Sequence, residues 1–196
     1  MLDTYEAERK PHVEALVNFA IQAGEVIGEL DLDKARARDA AMRDLLRSGQ
    51  AETIRQRYVP NLSAGVLDPA SGAVAGTLFV QPRVGTQREG ALLDDVVGPN
   101  FLLVTTGAEA QAWLSPSSLD LWRRLGGERV VLGARPEGDV GGVRHLSERG
   151  TMFADWMASL GAAAVVARPD RYVYGVARNG KELNRMIEGL GRQIFG

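Results

Sequence analysis

Apolar residues recur along this 196-residue chain with two different periods, and the periods divide it. Val13, Leu16, Val17, Ala20, Gly24 and Ile27 fall at helical spacing and make one stripe. Asp3 with Glu6 three residues on resembles a capping box, with Asp in place of Ser or Thr, so a helix is expected to start there. Pro11 removes a backbone donor and predicts a kink or restart. Ala35, Met42, Leu45 and Leu46 predict a second helix, for which Gly49 suits a stop.

From residue 58 the character changes. Pro60, Gly65, Pro69, Gly72, Gly76, Pro82, Gly85 and Gly90 punctuate short β-like pieces such as Thr77 to Val80. The pattern predicts a long meandering connection rather than a core, and connections of this length are usually functional or packed on another body. Regular order returns at Phe101. Phe101 to Thr105 reads as a buried strand. Ser115-Pro116 supplies an N-cap and a first-turn proline for a helix lined by Leu119, Trp122 and Leu125 and ended by Gly126. Arg129 to Ala134 reads as a second strand, followed by a glycine-rich excursion. Phe153, Trp156, Met157 and Leu160 then mark a helix closed by Gly161.

The last forty residues are the most legible. Ala163 to Ala167 is small and apolar enough to be buried on both faces. Pro169 presets φ for the first central position of a type I turn, and Asp170 follows it well. Beyond the turn, Tyr172, Tyr174 and Val176 alternate with Val173, Gly175 and Ala177, the period of a strand. Leu183, Met186, Ile187, Leu190 and Ile194 then line an amphipathic helix. The whole reads as an α/β chain. Residues 1–57 form a helical segment, 58–98 an irregular connection, and 99–196 a β-α-β-α-β-β-α domain. A parallel βαβ start with an antiparallel hairpin end is the thioredoxin-like arrangement, with the 162–177 hairpin expected at the centre of the sheet order.

Composition narrows the chemistry. The 45% apolar content supports a real core. There is no membrane-length apolar run and no signal-peptide architecture at the start, so a cytoplasmic location is expected. Net charge is −2, and although most basic residues are arginine they are scattered, with no basic stripe that would call for nucleic acid. Charge is uneven near the N-terminus: residues 1–33 carry eight acids and two bases, residues 34–57 seven bases and three acids. Opposite charge on two neighbouring helices could pair them, although exposed pairs are worth only about 0–1 kcal/mol each.

The absence of cysteine removes disulfides, thiolate catalysis and thiolate metal sites together. A redox-active thioredoxin needs two thiols between its first strand and first helix. Here that loop is Thr106 to Ser115, TGAEAQAWLS, so disulfide chemistry is excluded. Gly189-Leu190-Gly191 echoes a dinucleotide fingerprint but lies in a helix rather than after a strand. Asp94-Asp95 offers paired carboxylates with no partner cluster in sequence, and the ordinary reading is the polar end of an apolar turn. His12 and His145 are far apart in sequence and read as surface or satisfied histidines. Trp113, Trp122 and Trp156 read as core. No metal, catalytic or cofactor-binding residue is assigned.

Four stretches carry a resemblance: LDTYEAERKPH at 2–12, GTLFVQPRV at 76–84, LLDDVVGPNF at 92–101 and RPDRYVYGVA at 168–177. In this order and at this spacing the chain resembles the C-terminal part of FAD-dependent aromatic hydroxylases, the phenol-type monooxygenases typified by 3-(3-hydroxyphenyl)propionate hydroxylase. The resemblance implies a thioredoxin-like domain without cysteines and a first helix that leaves a flavin domain. It implies FAD, NAD(P)H and O₂ for the parent reaction, ring hydroxylation of a phenolic substrate. The Rossmann fingerprint and the later Gly-Asp motif of those enzymes are absent here, so no cofactor is expected in this chain itself. On this reading the chain is a structural or oligomerising C-terminal fragment. Its partners would be the missing N-terminal flavin domain and a second copy in a homodimer, with Tyr5, Arg9 and His12 resembling the segment that packs on the flavin domain. The rival readings are a free-standing, redox-inactive thioredoxin-like binding module and an enzyme with an unrecognised site.

Overall fold

The computed structural model describes residues 2–49, 60–85, 89–133 and 137–196, and the chain divides into two compact units, Met1–Pro60 and Asn61–Gly196. In the first, α1 spans Leu2–Gly28 and α2 spans Leu32–Arg47. Asp3 falls within α1, and α1 runs through Pro11 without the restart that was one of the two expected outcomes. The cap that sequence reading missed belongs to α2. The Asp31 carboxylate accepts from the backbone N–H groups of Asp33 (2.9 Å) and Lys34 (3.2 Å). Gly49, at φ +71, follows its C-terminal end as expected.

The opposite charges do little to join the helices. Lys10–Glu6 lies along α1, and Arg36–Asp33 and Arg47–Asp44 lie along α2, all on exposed faces. Such turn-to-turn pairs contribute about 0.3–0.5 kcal/mol. The described link between the helices is Arg38, which donates to the Val26 carbonyl at the end of α1 and pairs with its neighbour Asp39.

The second unit holds the sheet. After a 3₁₀ helix at Pro69–Val74, β1 (Arg83–Val84), β2 (Ala91–Leu92) and α3 (Leu93–Val96) lead into β3 (Leu102–Thr105). Then follow α4 (Ala108–Gln111), α5 (Pro116–Arg124), β4 (Glu128–Leu132), β5 (Gly138–Val140), β6 (Val143–Leu146), β7 (Glu148–Arg149), α6 (Met152–Leu160), β8 (Ala164–Ala167), β9 (Val173–Ala177) and α7 (Gly180–Phe195). The main sheet has the order β5-β6-β4-β3-β8-β9. β3 is parallel to β4 and β4 to β6, whereas β3–β8 and β8–β9 are antiparallel. The hairpin thus ends the sheet instead of centring it. The glycine-rich excursion after β4 supplies strands β5 and β6, which extend the sheet on the far side; Ala134 lies outside the described residues.

Two apolar layers sandwich this sheet. Leu103, Val166 and Tyr174 face Trp122 of α5 and Leu183, Met186, Ile187 and Leu190 of α7. Leu102, Val104, Val165 and Val173 face Phe153 and Met157 of α6. The connection expected to lie outside the core contributes to that second layer: Phe79, Val84, Leu93 and Val97 are all buried in it. Its apolar residues are too few and too interrupted by Gly and Pro to show a period, so burial there is decided by tertiary contact.

The turn between β8 and β9 follows the sequence reading and adds a detail. Arg171 N–H donates to the Arg168 carbonyl (2.9 Å), closing the turn, and Arg171 then sits at φ +65. A type I turn followed by a left-handed residue is a recurrent three-residue hairpin loop. The register slips at Val166/Ala167, so a bulge interrupts the alternation in β9. Tyr174 consequently enters one layer and Val176 the other, although the period-2 reading put them on one face.

Candidate functional site

Tyr5, Arg9 and His12 are spaced i, i+4 and i+7, so α1 carries them on one face. Tyr5 is 64% exposed, while Arg9 and His12 are half-buried. The apolar stripe further along the helix is uncovered: Leu16 is 58% and Ile27 83% exposed. None of the described residues of α2 is buried, and Leu45 and Leu46 are exposed. What the described residues of this unit offer is a surface, with an open hollow beside Glu6, Lys10 and Glu14 on α1.

The loop between β3 and its helix is braced by a hydroxyl and an amide. Thr105 Oγ1 donates to the Gly107 carbonyl (2.8 Å), and the buried Gln111 Nε2 donates to the Val130 carbonyl (3.0 Å) and Thr105 Oγ1 (3.2 Å). Asn184 of α7 fastens the far end, accepting from Ser115 N–H (2.8 Å) and donating to the Trp113 carbonyl (2.7 Å). Ser115 caps α5 as expected, accepting from Ser118 N–H. These groups fix a loop; no nucleophile stands beside a base.

The helix starts that could receive a phosphate are filled from within. At α4, a Cβ on Gly107 would meet both carboxylate oxygens of Glu109, so a negative charge already covers that short N-terminus. At α7, Asn179 Oδ1 accepts from Glu182 N–H (3.0 Å), and the Glu182 carboxylate accepts from Arg178 N–H (2.9 Å) and Asn179 Nδ2 (3.0 Å). That reciprocal cap occupies the N–H groups of Arg178 and Glu182 and sets a carboxylate at the helix start. The glycines of Gly189-Leu190-Gly191 serve packing: a Cβ on Gly191 would strike Leu121 Cδ2 at 2.4 Å, so the residue lets α7 approach α5.

Asp94 and Asp95 do not act as a pair. Asp95 is exposed, whereas Asp94 Oδ1 forms an ion pair with Arg171 Nε (2.6 Å) and its Oδ2 accepts from Gln81 Nε2 (2.6 Å). Arg171 also donates to the carbonyls of Gly98 (2.9 Å) and Asn100 (3.3 Å), so it staples the 94–100 loop to the hairpin turn. Among the described residues no acidic or histidine cluster could hold a metal ion, and no helix is long and apolar enough to cross a membrane. His145 lies in β6 between β4 and β5. Trp122 is buried, and Trp113 and Trp156 pack against the two layers, as expected of core residues.

The most buried charge is Asp68, which sequence reading did not single out. Its carboxylate receives both guanidinium nitrogens of Arg185 at 3.0 Å and the Ser71 hydroxyl at 2.6 Å. Burial pushes this carboxyl up, but the hydrogen bonds from Arg185 and Ser71, the Arg185 charge and the Ala70 N–H outweigh burial and hold it below the ordinary aspartate value. Beneath it burial pushes the Tyr174 phenol up, and the Asp68 charge adds to that. Asp68-Pro69 is a legible start signal for the 3₁₀ helix; the distant partner Arg185 is not. A depressed carboxyl contributes stability above its unfolded value, near 3.9, and that contribution is lost as pH falls through the folded value. Asp68→Asn is therefore expected to lower stability at pH 7 by about 1–3 kcal/mol, with a smaller difference from wild type at about pH 3, below the unfolded value. Urea midpoints at the two pH values check this.

Comparison with known proteins places these observations. Residues 76–193 match the family described as HcaD C-terminal domain. The probable NADH-specific resorcinol 4-hydroxylase of Rhodococcus jostii (strain RHA1) is 33% identical over 194 residues, covering 99% of this chain and 34% of that protein. The 3-(3-hydroxy-phenyl)propionate/3-hydroxycinnamic acid hydroxylase of Mycobacterium sp. (strain KMS) is 29% identical over 212 residues, covering 97% of this chain and 36% of that protein. Among solved structures, the flavin-dependent monooxygenase PieE in complex with FAD and substrate superposes with a TM-score of 0.64 at 21% identity, covering 98% of this chain and 39% of that one. That last likeness speaks for the fold. The chain spans about a third of the length of the curated relatives it matches, and the match is to their C-terminal part.

Proposed function

From the premise that this chain belongs to the HcaD C-terminal domain family, we propose that it serves as the structural C-terminal region of a flavin-dependent aromatic hydroxylase. The parent reaction is ring hydroxylation of a phenolic substrate with NAD(P)H and O₂, on an FAD bound elsewhere in the enzyme. The observation that carries this reading is the uncovered apolar stripe of α1, in a chain that spans a third of its relatives. A stripe from Val13 to Ile27 left in water forfeits burial worth about 25 cal/mol per Å² of apolar surface, which a flavin domain would recover. Tyr5, Arg9 and His12 lie on the same helix and would extend that contact. The sheet unit, a mixed sheet between two helical layers, completes the fold.

The test is amide exchange of α1 in two proteins. One is this chain alone. The other is this chain fused behind the N-terminal two-thirds of the resorcinol 4-hydroxylase relative. Alone, α1 amides are expected to exchange fast, or to be protected only as the chain self-associates. In the fusion they are expected to slow at least tenfold without a rise in oligomeric state. Slow α1 exchange in a strictly monomeric isolated chain would count against the reading.

A further inference from the structure

The hairpin strand β9 is the last strand of the main sheet, yet its outer edge is not open. Residues 68–79 run along it. Asp68 N–H donates to the Tyr174 carbonyl, Gly76 N–H to the Val173 carbonyl and Phe79 N–H to the Arg171 carbonyl, while Val173 N–H donates to the Thr77 carbonyl, all at 2.8 Å. The remaining outward donor, Val176 N–H, is taken by a side chain, Ser71 Oγ at 2.9 Å. Close approach is built in: a Cβ on Gly175 would meet Ser71 Oγ at 2.6 Å and Asp68 Cβ at 2.8 Å. Asp68 and the two residues that lead into this segment are each held by a different side chain. Arg168 donates to the Val66 carbonyl (3.0 Å), Gln193 to the Leu67 carbonyl (3.1 Å) and Arg185 to the Asp68 carboxylate. Between head and tail the segment is thinly anchored. Pro69, Ala70, Gly72 and Ala73 are exposed, and its regular piece is a 3₁₀ turn, the weaker helical geometry.

We propose that residues 68–77, which stop short of the core residue Phe79, are a separable guard over the β9 edge, seated by the Asp68–Ser71–Arg185 cluster, and that unseating it turns β9 into a pairing edge for a second copy of this chain. A bare edge presents alternating donors and acceptors that are self-complementary in antiparallel register, so an identical strand is its best-matched partner. β9 is also apolar along its length, Val173 to Ala177, with no charged residue to repel a copy. The guard does the work that edge lysines or prolines do in other sheets, and its seat depends on one buried carboxylate.

The experiment uses the full chain, as wild type and as Asp68→Ala/Ser71→Ala, with amide exchange by NMR and light scattering after size exclusion over a hundredfold concentration range. In wild type the Val173, Val176 and Gly76 amides are expected to exchange as one group, ahead of Val104 and Val166. In the variant that group is expected to speed up at low concentration by at least tenfold more than Val104, whose protection falls only with the overall stability. The mass is expected to rise with concentration beyond that of wild type, with Val176 protection returning as it does. Arg185→Gln, which leaves the guard's own residues intact, is expected to shift exchange in the same direction by a smaller factor. Unchanged Val176 exchange overturns the proposal, as does loss of Val104 protection in parallel in both variants, which would make the segment inseparable from the fold. Faster exchange with a mass equal to wild type at every concentration overturns the self-pairing.

Discussion

A chain carrying Val165→Asp is expected not to accumulate as a folded protein. Val165 is fully buried in the middle of β8, opposite Val104 on one side and Val176 on the other. Its side chain enters the apolar layer made with Leu102, Phe153 and Met157. A carboxylate placed there is either charged without a partner or protonated at the cost of its proton affinity. Leaving one buried charge uncompensated costs about 3–5 kcal/mol, and loss of the valine packing adds about 1–2 kcal/mol. Together these approach the whole stability of an ordinary domain, about 5–15 kcal/mol. The outcome is read from the soluble fraction and from the loss of a cooperative thermal transition. Val165→Ala, which deletes packing without adding charge, is expected to remain folded with a lowered melting temperature. A soluble Val165→Asp protein melting like wild type would show that β8 does not sit between two layers.

What could be read from the sequence is what is decided locally. Ser115-Pro116 starts α5, Gly161 ends α6 at φ +58, and Pro169-Asp170 turns the hairpin, because each of these residues acts on its own backbone. The helical period of α7 was legible because it packs one face and leaves the other in water. The β9 alternation misled because one extra residue at the bulge reverses every face beyond it, and the reason for the bulge, an approach by Ser71 and Asp68 to Gly175, lies a hundred residues away in the chain. The same distance hid the Asp68–Arg185 and Asp94–Arg171 pairs, since charge in sequence names no partner. Phe79, Leu93 and Val97 were misplaced outside the core for a related reason: each sits in an apolar run of only two or three residues within a glycine- and proline-rich stretch, too short to show a period, and only the sheet beneath them makes them core. On the candidate site, the sequence settles only the absence of thiols. The exposure of the α1 stripe required the fold.

The purified chain is expected to retain no FAD after desalting and to oxidise no NADPH, with or without a phenolic acid. The physical reason is the state of its helix N-termini. A dinucleotide needs a glycine turn that lets the backbone approach its pyrophosphate and free N–H groups at a helix start aimed at the charge. Here the turn after β3 leads into α4, a four-residue helix whose start is covered by the Glu109 carboxylate, and α7 is capped by Asn179 and Glu182. Adding a pyrophosphate at either place sets like charges together and leaves the cap groups without partners. The exposed apolar face of α1 can hold an isoalloxazine ring only loosely, since ring burial without phosphate contacts supplies a small part of the usual binding energy. The measurement is an absorbance spectrum of the protein after mixing with FAD and desalting, followed by NADPH consumption at 340 nm. The flavin bands are expected to leave with the small molecules, and NADPH loss is expected to equal that of buffer. The fusion with the flavin domain of the resorcinol hydroxylase relative is expected to keep its flavin through the same column. Stoichiometric flavin on the isolated chain, or phenol-stimulated NADPH oxidation, would reveal a complete cofactor site that the caps on α4 and α7 do not obstruct.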